Sequence, residues 1–187
     1  MRVIAGVAKG TKLRAPQAGS RPTADRVREA IFSILGERVP GAAVLDLYAG
    51  SGALGIEALS RGAASAVFVE GDRRAAGVIE TNLGAAHLSN GSVHVVLVKR
   101  FLRDGGKGAG PFDLVFADPP YWKREGDEDH IGQLLVAKGF CDMIAADGVL
   151  VLEGRRGTRD VVTDGWQVID RRGYGETEVL FLKEKKS

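Results

Sequence analysis

The sequence is poor in the residues that build disulfides and metal sites. Its 187 residues include one cysteine, Cys141, and three histidines, which stand apart at positions 87, 94 and 130. One cysteine cannot form an internal disulfide, and these histidine spacings do not resemble those of a metal site. We therefore expect neither a disulfide framework nor a bound metal.

Long hydrophobic runs are also missing. No apolar stretch approaches the roughly 20 residues that a membrane span requires, and the start of the chain lacks the pattern of a signal peptide. We find no internal repeat and no low-complexity segment. A length of 187 residues with 44% hydrophobic content fits one domain with a small appendage. These features predict a cytoplasmic protein with no membrane partner.

Positive charge is concentrated at the start of the chain. Residues 1–38 hold eight lysines and arginines against three acids, whereas residues 39–187 hold 18 basic and 21 acidic residues. This asymmetry predicts a basic N-terminal extension that faces a polyanion, followed by a nearly neutral body. A solvated basic surface without a partner is the alternative. The first twenty residues favour a short hairpin or extended arm, and a helix with one apolar face is predicted to follow and to end near Leu35.

From residue 43 the chain alternates between short apolar strands and helices. The predicted strands are Ala43–Tyr48, Ala66–Glu70, Val93–Val98, Asp113–Ala117, Gly148–Leu152, Trp166–Asp170 and Glu178–Leu182. Predicted helices cover Ala53–Ser60, Arg73–Ala86 and Ile131–Ala145. This order predicts an α/β fold with a doubly wound, mostly parallel sheet of seven strands. The last two strands are joined too closely for a helix, so we expect one antiparallel strand at that edge.

A glycine-rich turn follows the first predicted strand. Glycines at 50, 52 and 55 have the G-x-G-x-x-G spacing of dinucleotide binders, which is weak evidence alone, because many tight strand-to-helix turns need glycine. Asp46 precedes the turn, and Glu70 ends the next strand, where a carboxylate can accept both hydroxyls of a ribose. NAD would place a pyrophosphate at the turn, whereas S-adenosylmethionine would bring a sulfonium cation. Asp46 therefore favours S-adenosylmethionine.

The stretch FDLVFADPPYWK, Phe112 to Lys123, ends a strand with an acid, two prolines and two aromatic residues. Proline has no N–H donor, so this turn offers carbonyl oxygens beside the Asp118 carboxylate. Such acceptors favour an aromatic amine, held by Asp118 and the Pro119 carbonyl, with Tyr121 stacked on the base. Ligands of a doubly wound sheet lie at the carboxyl ends of its strands, so we predict that Asp118 and Gly50 face one cleft. A rigid turn without a chemical role is the alternative.

Four blocks together resemble a known family. They are RPTADRVREAIFSIL (Arg21 to Leu35), LDLYAGSGALGIEALSRGA (Leu45 to Ala63), VFVEGDRRA (Val67 to Ala75) and DLVFADPPY (Asp113 to Tyr121). They are similar to the RsmD family, bacterial methyltransferases that modify the exocyclic N2 of a guanine in small-subunit (16S) ribosomal RNA. The resemblance implies a Rossmann-like class I methyltransferase fold with S-adenosylmethionine as cofactor, S-adenosylhomocysteine as product and no metal.

The resemblance also implies roles for particular residues. Asp46, Tyr48, Gly50, Ser51, Gly52 and Asp118 would line the cofactor site, with Glu70 at its ribose. Asp118, Pro119 and Tyr121 would hold the target amine. The extension, residues 1–38, would bind RNA through Arg2, Lys12, Arg14, Arg21 and Arg26, and residues 39–187 would form the methyltransferase domain. One departure concerns adenine, because VVLVKRFL (Val95 to Leu102) offers apolar residues where many relatives have a polar contact, with Phe101 as an apolar neighbour.

The expected partner is ribosomal RNA, in the small subunit or an assembly intermediate, and the expected state is a monomer. Methylation of an amine in DNA or in another RNA is the first alternative, although this chain has no room for a DNA target-recognition domain. An NAD-dependent oxidoreductase and a non-catalytic RNA-binding module are the others. Asp46 and the acceptor-only turn argue against the oxidoreductase.

Overall fold

The computed structural model describes residues 1–15, 22–120, 129–156 and 165–185. Its α-helices are α1 (Pro22–Leu35), α2 (Ala53–Ser60), α3 (Arg73–Ala85), α4 (Val98–Arg103) and α5 (His130–Leu135). Its strands are β1 (Ala43–Leu47), β2 (Ser65–Glu70), β3 (Gly91–Val95), β4 (Phe112–Ala117), β5 (Ile144–Arg155), β6 (Trp166–Tyr174) and β7 (Thr177–Glu184).

The described strands form one seven-stranded sheet in the order β3-β2-β1-β4-β5-β7-β6. Strands β1 to β5 pair in parallel, and β7 is antiparallel to both of its neighbours. The predicted α/β fold with a mostly parallel sheet is therefore confirmed. The antiparallel strand lies one place in from the edge, because the tight β6–β7 hairpin returns the chain along β5 and leaves β6 outermost.

Two buried clusters cover the two faces of the sheet. Successive strand residues point to opposite faces, so Val44 joins a cluster with α1, α2 and α3, while Leu45 joins a second cluster with α4 and α5. Burial on both faces explains why β1 and β4 are almost continuously apolar. Asp46, in the middle of β1, is buried with its apolar neighbours.

Residues 1–15 turn back on themselves, as the sequence predicts. Arg2 and Lys12 form an antiparallel bridge, and the Val3 N–H donates to the Thr11 carbonyl at 3.0 Å. Val3 and Leu13 are buried in the same cluster as α1. We call residues 1–15 the arm, and its apolar side chains extend the core of the body. The division of the chain at residue 38 into an RNA-binding extension and a catalytic domain stays a prediction.

Two buried side chains of α2 hold the arm in place. Glu57 accepts hydrogen bonds from the N–H groups of Ile4, at 2.7 Å, and Ala5, at 3.0 Å. The Ser60 hydroxyl accepts from the Ala8 N–H at 3.0 Å and donates to the Ala5 carbonyl at 2.6 Å. The arm is thus fixed to α2 through its backbone, which leaves its basic side chains available to a partner.

The predicted third strand, Val93–Val98, is wrong at its end. Strand β3 stops at Val95, and α4 begins at Val98. Val98, Phe101 and Leu102 are the buried residues of α4, with helical spacing. The short apolar run before them fits a buried strand as well as a buried helix, so periodicity alone could not separate the two.

The helix predicted over Ile131–Ala145 is wrong in its second half. Helix α5 stops at Leu135, and β5 begins at Ile144. The β4–β5 register shifts between Phe112 and Leu114. The start of β5 is therefore irregular, and its sequence lacks the alternation that would have predicted a strand.

Candidate active site

Strands β1 and β4 lie side by side in the parallel part of the sheet. Leu47 pairs with Ala117, so Tyr48 and Asp118, the next residue of each strand, leave the sheet together at its carboxyl edge. Strand order reverses at this point, because β1 continues to β2 on one side and borders β4 on the other. Crevices at such reversal points are where doubly wound sheets bind ligands.

A cavity of about 200 Å³ opens at this edge. Its lining includes Asp46, Gly50, Ser51, Asp118 and Glu153. The structure thus brings the glycine loop and the acid of the proline turn to one cleft, as the sequence predicts. Tyr121 lies outside the described residues, and Pro119, the residue after Asp118, is buried.

The glycine loop, Tyr48–Gly52, connects β1 to α2. Gly50 has φ 55° and Gly52 has φ 75°, a left-handed conformation that favours glycine. Gly55 has a different reason, since a Cβ there would lie 2.3 Å from Phe68 Cε1. The motif spacing therefore combines two backbone requirements with one packing requirement. Tyr48 also has a positive φ, 56°, which is uncommon for a residue with a bulky side chain.

Glu70 holds the glycine loop from β2. Its carboxylate accepts from the Gly50 N–H at 2.8 Å and from the Asp72 N–H at 2.8 Å. The sequence predicted a ribose contact for Glu70 and did not anticipate these bonds. A carboxylate has about four acceptor positions, so the ribose contact stays a prediction, and support of the loop is an observed second role.

Asp46 lies beneath the loop and is 2% exposed. Its Oδ2 accepts from the Gly55 N–H at 2.9 Å. Burial raises the pKa of Asp46 to about 7, the Gly55 hydrogen bond opposes this rise, and the nearby Glu70 carboxylate adds to it. A positively charged ligand in the cleft would favour the ionised form of this acid.

Asp118 and Glu153 follow paired residues on neighbouring strands, because Ala117 pairs with Leu152. Desolvation by the surrounding protein, followed by repulsion from Glu153 and Asp46, raises the pKa of Asp118 to about 8. Asp118 also exposes surface to water in the open cleft. The cleft is consequently rich in acceptors.

The N-terminal segment also reaches the cleft. Met1 and Arg28 contribute to its lining. Arg28, on α1, is 4% exposed, and its Nη2 donates to the Arg2 carbonyl at 2.6 Å and to Asp25 Oδ1 at 3.1 Å. The sequence predicted no role here for Arg28 or Glu153. Glu153 could have been found from the sequence, because it is a charged residue directly after the apolar run of β5.

A second, larger cavity of about 820 Å³ adjoins the first. Tyr48 lines both, so the two cavities meet at the glycine loop. Leu97, Val98 and Leu102 contribute apolar walls. Phe101, which the sequence suggested as an apolar neighbour of adenine, is instead fully buried.

The candidate RNA-binding residues lie at the surface where they are described. Arg2, Lys12, Arg14 and Arg26 are exposed, and Arg21 lies outside the described residues. Within the described ranges, no cluster of three or more His, Cys, Asp or Glu side chains is arranged to hold a metal ion. In the same ranges, no helix has both the length and the apolar character to cross a membrane.

Comparison with known proteins identifies relatives over almost the whole chain. A family model described as "Conserved hypothetical protein 95" matches residues 1–183. "Putative rRNA methyltransferase YlbH" of Bacillus subtilis (strain 168) is 38% identical over 188 residues, which cover 99% of this chain and 100% of that protein. "Ribosomal RNA small subunit methyltransferase D" of Escherichia coli (strain K12) is 43% identical over 141 residues, which cover 75% of this chain and 69% of that protein.

Solved structures agree with these relatives. "Putative methyltransferase yhhF from Escherichia coli" is 32% identical, with a TM-score of 0.82 and coverage of 100% of this chain and 99% of that chain. The fold is therefore that of the methyltransferases. The resemblance carried by the four sequence blocks is confirmed: the chain belongs to the RsmD family of ribosomal RNA methyltransferases.

Proposed function

We propose that this protein transfers a methyl group from S-adenosylmethionine to the exocyclic N2 amine of a guanine in small-subunit ribosomal RNA. The observation that carries the proposal is the meeting of the glycine loop and Asp118 in one acceptor-rich cleft. Membership of the RsmD family supports ribosomal RNA as the substrate class. S-adenosylhomocysteine would be the product, and we expect a monomer to act on the small subunit or an assembly intermediate.

The cleft fits the proposed cofactor in charge and shape. Asp46, Tyr48, Gly50, Ser51, Gly52 and Asp118 would hold the methionine end, and Glu70 would accept from the ribose. The larger cavity beyond Tyr48 offers apolar walls to the adenine, where Leu97 and Val98 take the place suggested for Phe101. When bound, S-adenosylmethionine supplies an electrophilic methyl group on a sulfonium cation. The buried Asp46 favours a cation there over a pyrophosphate, which argues against an NAD enzyme.

Asp118 and the Pro119 carbonyl would hold the two hydrogens of the target amine. An aromatic amine is a weak nucleophile because its lone pair is delocalised into the ring. Two fixed acceptors draw the nitrogen toward a tetrahedral geometry and stabilise the positive charge that develops on it. Alignment of the reacting groups can contribute several kcal/mol to lowering the barrier. Tyr121, stacked on the base, would keep the amine in this position.

After methyl transfer the amine must lose a proton, and the cleft offers groups that can accept it. A methylated aromatic amine is a strong acid while it carries the positive charge, so water or a nearby carboxylate can take the proton. Asp118, in the ionised form that a bound sulfonium cation would favour, would be the acceptor nearest to the proposed position of the amine. The target base must leave its stack or lie in an exposed loop to reach this cleft.

The N-terminal extension, residues 1–38, would bind the RNA backbone. Arg2, Lys12, Arg14 and Arg26 are exposed, and with Arg21 they carry the positive charge that phosphates require. Because the arm borders the cleft through Met1, RNA held by these residues would lie next to the proposed target site.

Labelled S-adenosylmethionine tests the proposal directly. The protein would be incubated with unmodified small subunits and, separately, with naked small-subunit RNA, and the labelled nucleotide would be mapped. We expect label on the N2 of one guanine, and Asp118→Ala to reduce its incorporation at least 100-fold, the order that removal of a charge-stabilising group costs. Asp113→Asn is the matched control, because Asp113 lies near the start of β4, the strand that Asp118 follows, and its Oδ2 accepts from the Ala43 N–H at 2.8 Å. Wild-type incorporation by Asp118→Ala would refute the assignment of Asp118.

A further inference from the structure

Asn82 connects two parts of the molecule that are far apart in sequence. It lies on α3 and is 0% exposed. Its Oδ1 accepts from the Arg14 N–H at 2.8 Å, and its Nδ2 donates to the Arg14 carbonyl at 3.0 Å and to the Ser51 carbonyl at 2.9 Å. Both amide hydrogens and the amide oxygen are therefore used. One buried side chain thus bonds to the arm and to the glycine loop at the same time.

The bond to Ser51 fixes one peptide group of the glycine loop. The Ser51 carbonyl and the Gly52 N–H belong to the same peptide plane, and the Gly52 N–H donates to the Ala49 carbonyl at 2.7 Å. This peptide is thus held at both ends. Gly52 has φ 75°, and glycine tolerates several backbone conformations that other residues do not. Without Asn82, the Ser51–Gly52 peptide could rotate, so Asn82 selects its orientation.

The bonds to Arg14 fix the arm in the same way. The Asn82 amide pairs with both the N–H and the carbonyl of Arg14, which requires the amide plane to be aligned with the Arg14 backbone. The same plane must also direct its second hydrogen at Ser51. A change at either contact therefore alters the geometry available to the other.

We propose that Asn82 is a positioning residue that links the arm to the glycine loop, so that a ligand held by the loop tightens the attachment of the arm. The proposal rests on the proposed function, in which the loop binds S-adenosylmethionine or its product. Binding energies are linked reciprocally, so RNA that fixes the arm raises the affinity of the loop for the cofactor by the same factor. Cofactor and RNA sites would then assist each other through Asn82.

Hydrogen exchange of the Arg14 amide tests this link in the full chain. NMR would follow its exchange rate with and without saturating S-adenosylhomocysteine. We expect the ligand to slow exchange at Arg14 about fivefold or more in the wild-type protein, the lower end of usual coupling between sites. Arg14 does not line the cleft, although Met1 of the arm does, so a response at Arg14 is assigned to Asn82 only if the Asn82 variants lose it.

Two variants and one control separate coupling from stability. Asn82→Asp keeps an acceptor for the Arg14 N–H but loses both donors, and Asn82→Ala loses all three bonds. We expect both to bind S-adenosylhomocysteine about fivefold or more weakly and to show no response at Arg14 when saturated. Asn90→Ala is the control, because the Asn90 Nδ2 donates to the carbonyls of Ala63, at 3.2 Å, and Ala64, at 3.0 Å, and to neither the arm nor the loop. This variant should respond as the wild type does.

The outcomes are distinct. If saturating S-adenosylhomocysteine leaves Arg14 exchange unchanged in the wild-type protein, or if the Asn82 variants keep the wild-type response, the link does not exist while the proposed function stands. If the wild-type protein does not bind S-adenosylhomocysteine, the proposed function fails and the link fails with it. If a variant does not fold, the wild-type protein still tests the link, because unchanged Arg14 exchange on saturation with S-adenosylhomocysteine would overturn it.

Discussion

Three carboxylates, Asp46, Asp118 and Glu153, dominate the electrostatics of the cleft. Their mutual repulsion and the burial of Asp46 cost free energy in the empty protein, and Asp46 and Asp118 respond with raised pKa values of about 7 and about 8. A sulfonium cation placed among them would relieve this repulsion, whereas the neutral sulfur of S-adenosylhomocysteine would relieve less. The charge of the cofactor should therefore make its binding affinity depend on pH.

We predict that the affinity for S-adenosylmethionine, relative to S-adenosylhomocysteine, rises with pH. Both acids are mostly protonated at pH 6 in the free protein, and a bound cation lowers their pKa values, so binding releases protons and strengthens as pH rises through about 7 to 8. Calorimetry between pH 6 and pH 8.5 should find the ratio of the two dissociation constants changing roughly tenfold.

Asp46→Asn is the matching variant for this titration. Asparagine keeps an oxygen that can accept from the Gly55 N–H but cannot ionise, so the pH dependence of the ratio should flatten. Asp113→Asn, at the far end of β4, should leave the dependence unchanged. A ratio that is independent of pH in the wild-type protein would mean that the sulfonium does not lie near these carboxylates.

At the scale of secondary-structure elements, helix α2 makes several of the contacts that form the site. Its N-terminus follows the glycine loop, its Gly55 packs on Phe68 of β2, and its Glu57 and Ser60 hold the arm. The helix therefore joins the cofactor loop, the sheet and the arm, and its small and polar residues have structural reasons that composition alone does not reveal.

A pair of helix glycines tests the packing of α2. In Gly55→Ala the new Cβ would lie 2.3 Å from Phe68 Cε1 and 3.1 Å from Asp46 Oδ2, so we expect a loss of about 1–3 kcal/mol in the free energy of unfolding. Gly77, inside α3, has nothing within 4 Å of its Cβ position, so Gly77→Ala should gain about 0.5–1 kcal/mol. Urea unfolding measures both, and equal effects of the two substitutions would contradict the described packing.

The attachment of the arm can be tested by comparing two ion pairs between residues four apart, one buried and one at the surface. Glu57 is 1% exposed and lies 2.8 Å from Arg61 Nε, while it also accepts from the arm backbone. Glu57→Ala leaves several part-buried donors without their partner, so we expect a loss of about 3 kcal/mol in unfolding free energy. Asp104 pairs with Arg100 at 3.6 Å on the surface, so Asp104→Ala should cost about 0.5 kcal/mol or less. A small effect of Glu57→Ala in urea unfolding would show that the arm is not anchored there.

The distribution of charge matters at the scale of the whole molecule. Positive charge is concentrated in residues 1–38, and the body carries a small negative excess. Arm residues Arg2, Lys12 and Arg14 are exposed while the arm backbone is fixed to α2 and α3. Their side chains can therefore be changed without removing the bonds that attach the arm.

We predict that the double substitution Lys12→Gln, Arg14→Gln weakens RNA binding and reduces its salt dependence by a slope of about one to two, one for each lost phosphate contact. Including Arg21→Gln should extend the effect. Affinity for S-adenosylhomocysteine without RNA should stay the same, because the Arg14 backbone keeps its bonds to Asn82. Lys183→Gln, Lys185→Gln removes the same charge from the end of the chain and should change neither quantity. Equal losses of RNA and cofactor binding would contradict this division.

Local patterns predicted much of the fold and part of the site. Alternation of strands and helices predicted the sheet, and the glycine spacing with the Asp118 turn predicted the cleft, because both depend on residues close in sequence. The wrong boundaries, at β3–α4 and at α5–β5, fall where short apolar runs fit a strand and a helix equally well. Periodicity cannot separate a strand from a helix in such runs, and tertiary packing determines which of the two forms.

The amino-acid order by itself determined the class of fold, the basic arm and the chemistry of the acceptor turn, since each depends on residue types within a few positions of one another. Only the tertiary structure decided how distant groups meet. Glu70 bonds to Gly50 across 20 residues, and Asn82 bonds to Ser51 across 31 and to Arg14 across 68. Such contacts depend on strand order and on helices packing over the sheet, because a buried polar group bonds to whatever the fold brings within about 3 Å of it.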